Sequence, residues 1–301
     1  MGLNEMSDRL IEQDIQKAIR LVETLDKRLI DCIYNDSFSM KDMGLIYQQM
    51  EAAGLNPKDQ NDWIFLHRAA KERRISEKQC PLEFTIEKEK DRYVISPIKY
   101  HDGAYEVSWS KELPDGGNKY TQDKWIEHLK DSGWSLPSGP LYYAAFKALY
   151  QNKDGNNKEL IQKLRTSFKE DFAQNFIVTS TRINYSDSGL DEIIHDYGQK
   201  SQYALEANIV GPDGFVNAQS GLDDSIESLL GTSDPAEVEN VFEWISGQKP
   251  YLWRLNAKPN KKDVRALVLG VYNYNRFSIS ADGNIRINRS VRGVVRRKIF
   301  P

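Results

Sequence analysis

Apolar residues recur at alternating steps of four and three near the start of the chain: Ile11, Ile15, Ala18, Val22, Leu25, Leu29 and Cys32. That spacing lays one apolar seam along a helix from about Met6 to Tyr34. A seam needs a partner. Two more helices offer one: Met40 to Ala53, stopped by Gly54, and Pro57 to Arg74, with Asn56 as cap and Pro57 in the first turn. Residues 1–78 are therefore expected to form an intramolecular three-helix unit. A homo-oligomer joined through the N-terminal helix is the rival arrangement.

From Cys80 to Trp109 the period changes to two. Leu82, Phe84 and Ile86, then Tyr93, Val94 and Ile95, then Tyr105, Val107 and Trp109 are separated by polar Glu87–Asp91 and by His101-Asp102-Gly103. This pattern predicts a small antiparallel meander. Pro97 should end the middle strand or confine it to an edge, because proline has no amide to give the ladder. Helices follow, one capped by Thr121 and ending near Ser132-Gly133, one opened by Pro140 through Tyr150, and one from Asn157 to Gln174. Residues 79–175 thus read as a small meander plus helices.

The last stretch, 176–301, mixes both periods. Phe176–Tyr185 and Tyr203–Val210 suit strands, the second ending at Gly211-Pro212-Asp213-Gly214. Asp234, Pro235 and Glu237 supply cap, first-turn proline and capping-box partner for a helix through Trp244, closed by Gly247. Arg265–Tyr274 and Arg276–Ser280 read as strands, and Ala281-Asp282-Gly283 as a hairpin turn into a return strand Asn284–Asn288. Ser290–Pro301 is expected to be free. With no regular βαβ alternation, the fold class is α+β: an N-terminal helical unit followed by mixed antiparallel sheet and helices.

Composition narrows the class without naming an activity. A chain of 301 residues, 40% hydrophobic, can bury adequate cores without disulfides or a structural metal. No run approaches the roughly 18 apolar residues of a membrane helix, and the first residues lack a signal-peptide pattern, so a cytoplasmic protein with no membrane partner is expected. Cys32 and Cys80, the only cysteines, read as free thiols.

Charge changes the picture more. Residues 249–301 carry a net +11, residues 183–248 a net −12, and the remaining 182 residues only −2. The basic segment, with Arg276, Arg286, Arg289, Arg292, Arg296 and Arg297 close to Tyr272 and Tyr274, is the candidate binding surface. Guanidinium groups and rings suit the phosphates and bases of nucleic acid, or else an acidic protein. The competing explanation is that these cations neutralise the acidic segment.

Within the acidic segment, Ile194-His195-Asp196-Tyr197-Gly198 is the most site-like run. His195 with Asp196 is the candidate acid–base pair, and Asp187, Asp191, Asp196 and Asp213 are candidate oxygen donors for a hard cation, although no metal site is assigned. Ser188-Gly189-Leu190-Asp191-Glu192 is echoed by Ser220-Gly221-Leu222-Asp223-Asp224, each phrase reading as a helix start. The glycine-rich phosphate loop, the dinucleotide fingerprint, the nucleophile elbow and the zincin motif are all missing from the chain. The sequence therefore points to a polyanion-binding protein, with a metal-assisted hydrolase at His195 and an interaction module built on the N-terminal helix as alternatives. No cofactor is indicated.

Overall fold

The computed structural model describes residues 14–22, 24–25, 27–35, 39–78, 83–101, 103–187, 189–216, 223–258, 263–272 and 276–300. These form two compact units, Met1–Leu82 and Glu83–Pro301.

In the first unit, residues 14–22 are helical, followed by α1 (Lys27–Asn35), α2 (Met40–Ala52) and α3 (Gln60–Lys78). The single long helix expected from Met6 is interrupted by a bend at Leu25, and its first turns lie outside the described residues. The Ser39 hydroxyl caps α2 by accepting from the Asp42 amide. Asn56 caps a turn instead of a helix, its Oδ1 accepting from the Lys58 amide, so α3 starts only at Gln60. Ala18, Val22, Leu25 and Leu29 are buried, joined by Leu21, Ile30 and Ile33, against Ile46, Met50, Leu66 and Ala70. From Ala18 to Leu29 the seam is thus buried within its own unit, while Ile11 lies outside the described residues.

The second unit is built on two sheets, α+β as expected. Its strands are β1 (Thr85–Lys88), β2 (Arg92–Tyr100), β3 (Gly103–Ser110), β4 (Ile177–Tyr185), β5 (Asp191–His195), β6 (Tyr203–Ala207), β7 (Gly214–Phe215), β8 (Pro250–Trp253), β9 (Asp263–Tyr272), β10 (Arg276–Asn284) and β11 (Val294–Phe300). Its helices are α4 (Gln122–Lys130), α5 (Gly139–Gln151), α6 (Lys158–Gln174), α7 (Asp223–Leu230) and α8 (Pro235–Ser246). The small sheet has the order β1-β2-β3-β11 and the large one β6-β5-β4-β9-β10-β8-β7. In the large sheet β10 pairs parallel to β8 and antiparallel to β9.

One core cluster runs from Ile95 and Trp109 of the small sheet through Tyr142, Phe146, Phe168 and Phe242 to Leu267, Phe277 and Ile279 of the large one. The stretches 79–175 and 176–301 consequently share both a core and a sheet. The opposite face of the large sheet is covered over Val178, Ala266 and Val268 by Trp125 and Leu129 of α4.

Four local readings are corrected. The segment expected to be free ends in β11, which pairs antiparallel with β3 and buries Val294. Ala281-Asp282-Gly283 is no hairpin turn: β10 runs on to Asn284, absorbing one extra residue as a register shift between Ser280 and Gly283, a bulge that local turn propensity imitates. Pro97 does not end β2, which sits between β1 and β3; pairing with β1 stops at Ser96, and a shift between Ile95 and Ile98 carries β3 past the proline. Of the two repeated acidic phrases, the first leads into a strand, β5, and the second into α7.

Candidate functional site

α4 covers only part of its face of the large sheet, and beside it, over β10 and β8, lies a cleft of about 700 Å³. Strand alternation decides what lines it. Phe277, Ile279 and Leu252 point into the core, so Ser278, Ser280 and Trp253 face the cleft. The Trp253 indole donates through Nε1 to Ser278 Oγ at 3.1 Å. Phe176 is a second wall. It can approach because Gly270 has no side chain: a Cβ there would lie 2.8 Å from the Asn175 carbonyl oxygen and 3.1 Å from the Phe176 ring.

Three cations and two carboxylates line the cleft: Lys119, Arg254 and Arg289 against Asp213 and Asp282. Arg254 is buried; its Nε donates to the Pro212 carbonyl and Nη1 to Ser225 Oγ, both at 3.0 Å, while its own amide donates to Asp213 Oδ1 at 2.7 Å. The guanidinium lies against Gly211, where any side chain would collide with it. The turn Gly211-Pro212-Asp213-Gly214 is thus a cradle for Arg254. Asp282 faces Arg265 Nε at 3.4 Å, and burial nevertheless raises its carboxyl above the usual range.

Arg289 is placed by its backbone. It exchanges amide bonds with Tyr120 at 2.9 and 3.2 Å, and its carbonyl accepts from the Trp125 indole at 2.6 Å. This also brings Lys119, next to Tyr120, to the same side of the cleft. The Arg289 side chain is half-buried and donates to the Asn284 carbonyl at 2.6 Å. No carboxylate pairs with it among the described residues, and burial lowers its proton affinity.

The other cations singled out from the sequence do not gather. Arg292 is buried, ion-paired with Asp171, donating to Ser110 and Lys111 carbonyls at 2.5 and 2.6 Å and lying 5.2 Å over Phe168. Arg296 pairs with buried Asp196 at 2.7 Å and stands over Tyr100. Arg297 pairs with Glu106 at 3.0 Å on an exposed surface. Arg286 is exposed in the turn after β10. Arg276 rests on the rings of Tyr251 and Phe215. Only the backbone of Tyr272 is described, and Tyr274 lies outside the described residues. Basic and acidic segments meet in Lys249–Glu239, Lys258–Asp191 and Arg296–Asp196, at 2.9, 2.9 and 2.7 Å, so part of the charge separation is neutralised internally.

His195 is also absorbed by the fold. Ser228 O can only accept, so the Nε2–H of His195 donates to it at 2.9 Å, and Nδ1 accepts from the Thr181 hydroxyl at 2.9 Å. Thr181 Oγ1 in turn accepts from the Gly139 amide at 2.9 Å. Burial pushes the imidazole down to about 4. Both nitrogens are engaged, which leaves none to take a proton from a water. Asp196, in the left-handed region at φ 53°, turns away to accept from the Tyr100 hydroxyl at 2.8 Å and from Arg296. Asp191 is satisfied by the Ser186 and Ile209 amides and by Lys258. No group of three or more His, Cys, Asp or Glu placed to share a metal ion occurs among the described residues. Nor is any described helix long and apolar enough to cross a membrane.

Sequence reasoning found Arg289 but missed Trp253, Ser278, Ser280 and Lys119. The signal was present as alternation: Tyr251-x-Trp253 on β8 and Arg276-x-Ser278-x-Ser280 on β10 mark one polar, aromatic face opposite an apolar one. Comparisons with protein-family models, curated proteins and solved structures find no match for this chain.

Proposed function

We propose that this protein binds a small organic anion, a phosphate- or carboxylate-bearing molecule with a flat ring, in the cleft beside α4. The observation that carries this reading is Arg289, a partly desolvated guanidinium in the cleft wall with no carboxylate partner among the described residues. An unpaired cation removed from water is costly unless an anion meets it. Lys119 adds a second positive charge nearby, Trp253 and Phe176 offer apolar walls, and Ser280 provides a hydroxyl for the ligand's polar edge. The polyanion expectation is thereby moved from a C-terminal stripe to a pocket that retains one of its arginines.

Calorimetric titration with a nucleoside 5′-monophosphate, a sugar phosphate and inorganic phosphate tests the reading. Arg289→Ala should weaken binding of the best ligand about tenfold to a hundredfold, the equivalent of about 1.5–3 kcal/mol for a charge-assisted hydrogen bond. Equal affinity in the variant, or no binding of any of the three at low salt, would refute it.

A further inference from the structure

Trp253 is the inner end of a longer aromatic strip. Tyr251 precedes it by two residues on β8 and so projects from the same face; its ring centroid lies 4.8 Å from Trp253 and 5.1 Å from Phe215 on the edge strand β7. Phe215 is 37% exposed. Beside the strip, β10 places Arg276 on the face that carries Ser278 and Ser280. Its guanidinium carbon is 4.9 Å from the Tyr251 ring and 5.2 Å from that of Phe215. No carboxylate holds this cation among the described residues, so the two rings set its position. Positive charge therefore flanks the strip at Arg276 and again in the cleft at Arg289. The four steps of strand from Arg276 to Ser280 alone cover about 13 Å, more than one phosphate can bridge.

We propose that Phe215, Tyr251 and Arg276 form a second subsite continuous with the cleft, and that the ring-bearing anion held in the cleft is one nucleotide of a single-stranded nucleic acid. This rests on the cleft reading. One nucleotide sits against Trp253 with its phosphate at Arg289; the base of the next lies along Tyr251 and Phe215 with its phosphate at Arg276. Two cations along a strip of partly exposed rings match a chain in which anionic groups and flat apolar faces alternate. Of the cleft's carboxylates, Asp213 accepts from the Arg254 amide and Asp282 faces Arg265.

Fluorescence anisotropy on the full chain with labelled thymidine oligonucleotides of two, four and eight residues, competed by thymidine 5′-monophosphate, provides the test. The four-residue oligonucleotide should bind at least tenfold more tightly than the mononucleotide. Tyr251→Leu and, separately, Arg276→Gln should erase most of that gain while leaving mononucleotide affinity within about twofold. Oligonucleotides that bind no tighter than the mononucleotide overturn the subsite, as does a gain that survives both substitutions, or tighter binding of an acidic oligosaccharide than of the oligonucleotides. Failure of the cleft reading looks different: the mononucleotide does not bind, or Arg289→Ala leaves its binding unchanged.

Discussion

His195 shows how a chemically suggestive residue is taken up by structure. With Nε2–H on the Ser228 carbonyl and Nδ1 facing the Thr181 hydroxyl, the ring is fixed as one neutral tautomer inside the core. Protonating it would strand a charge away from water, which is why its folded pKa of about 4 lies below the ordinary 6.5. The unfolded chain therefore binds the proton more readily between these values, and stability falls as pH drops from 6.5 towards 4. The contribution is whole above pH 6.5, and its loss amounts to about 3 kcal/mol. Urea unfolding at several pH values should show that decline, and His195→Gln should flatten it between pH 6.5 and 4; an unchanged slope would remove His195 as its source. The pair His195-Asp196 was legible as a pair of residue types. Their neighbours were not, because Thr181, Ser228 and Arg296 come from distant parts of the chain.

At the scale of elements, β11 ties the end of the chain to the core. It extends the small sheet beside β3, and Arg296 on it meets Asp196 just beyond β5 of the large sheet. Breaking a buried pair from one side costs more than removing both charges, since the survivor stays desolvated. Arg296→Met should cost about 3–5 kcal/mol in chemical denaturation, and Arg296→Met combined with Asp196→Asn should recover most of it. An additive loss would mean the two are energetically independent. Helix starts were largely readable: Thr121 accepts from the Lys124 amide and Asp234 from the Glu237 amide, both as their local sequence suggests. Strand ends were less readable. β10 passes through Ala281-Asp282-Gly283 because β9 continues beside it, with Gly283 opposite Ala266. Gly283 must be small there, as a Cβ would collide with the Ala266 carbonyl.

For the whole molecule, part of the formal separation of charge resolves into specific pairs. Lys249 reaches Glu239, Lys258 reaches buried Asp191 and Arg296 reaches Asp196, while Arg292 of the basic segment pairs with Asp171 outside the acidic one. Pairs out of water are screened little by salt, whereas the unpaired cations of the cleft face are open to it. Raising salt from about 0.05 M to 0.5 M should change unfolding free energy by less than about 1 kcal/mol while weakening anion binding at least about tenfold. Thermal unfolding and titration on the same samples would check both. If stability falls as steeply as binding, the pairs are more exposed than their burial indicates. From residue order alone came the α+β class, the helical unit at the start, the capped helices and the segregation of charge, because capping and periodicity act over a few residues. Only tertiary structure decided that the N-terminal seam from Ala18 to Leu29 is covered within its own unit, that the last strand joins β3, and that Arg289 rather than the whole basic segment borders a cleft. Those outcomes depend on pairing and desolvation between residues far apart in the chain, and local pattern carries no record of which partner a strand or a charge will meet.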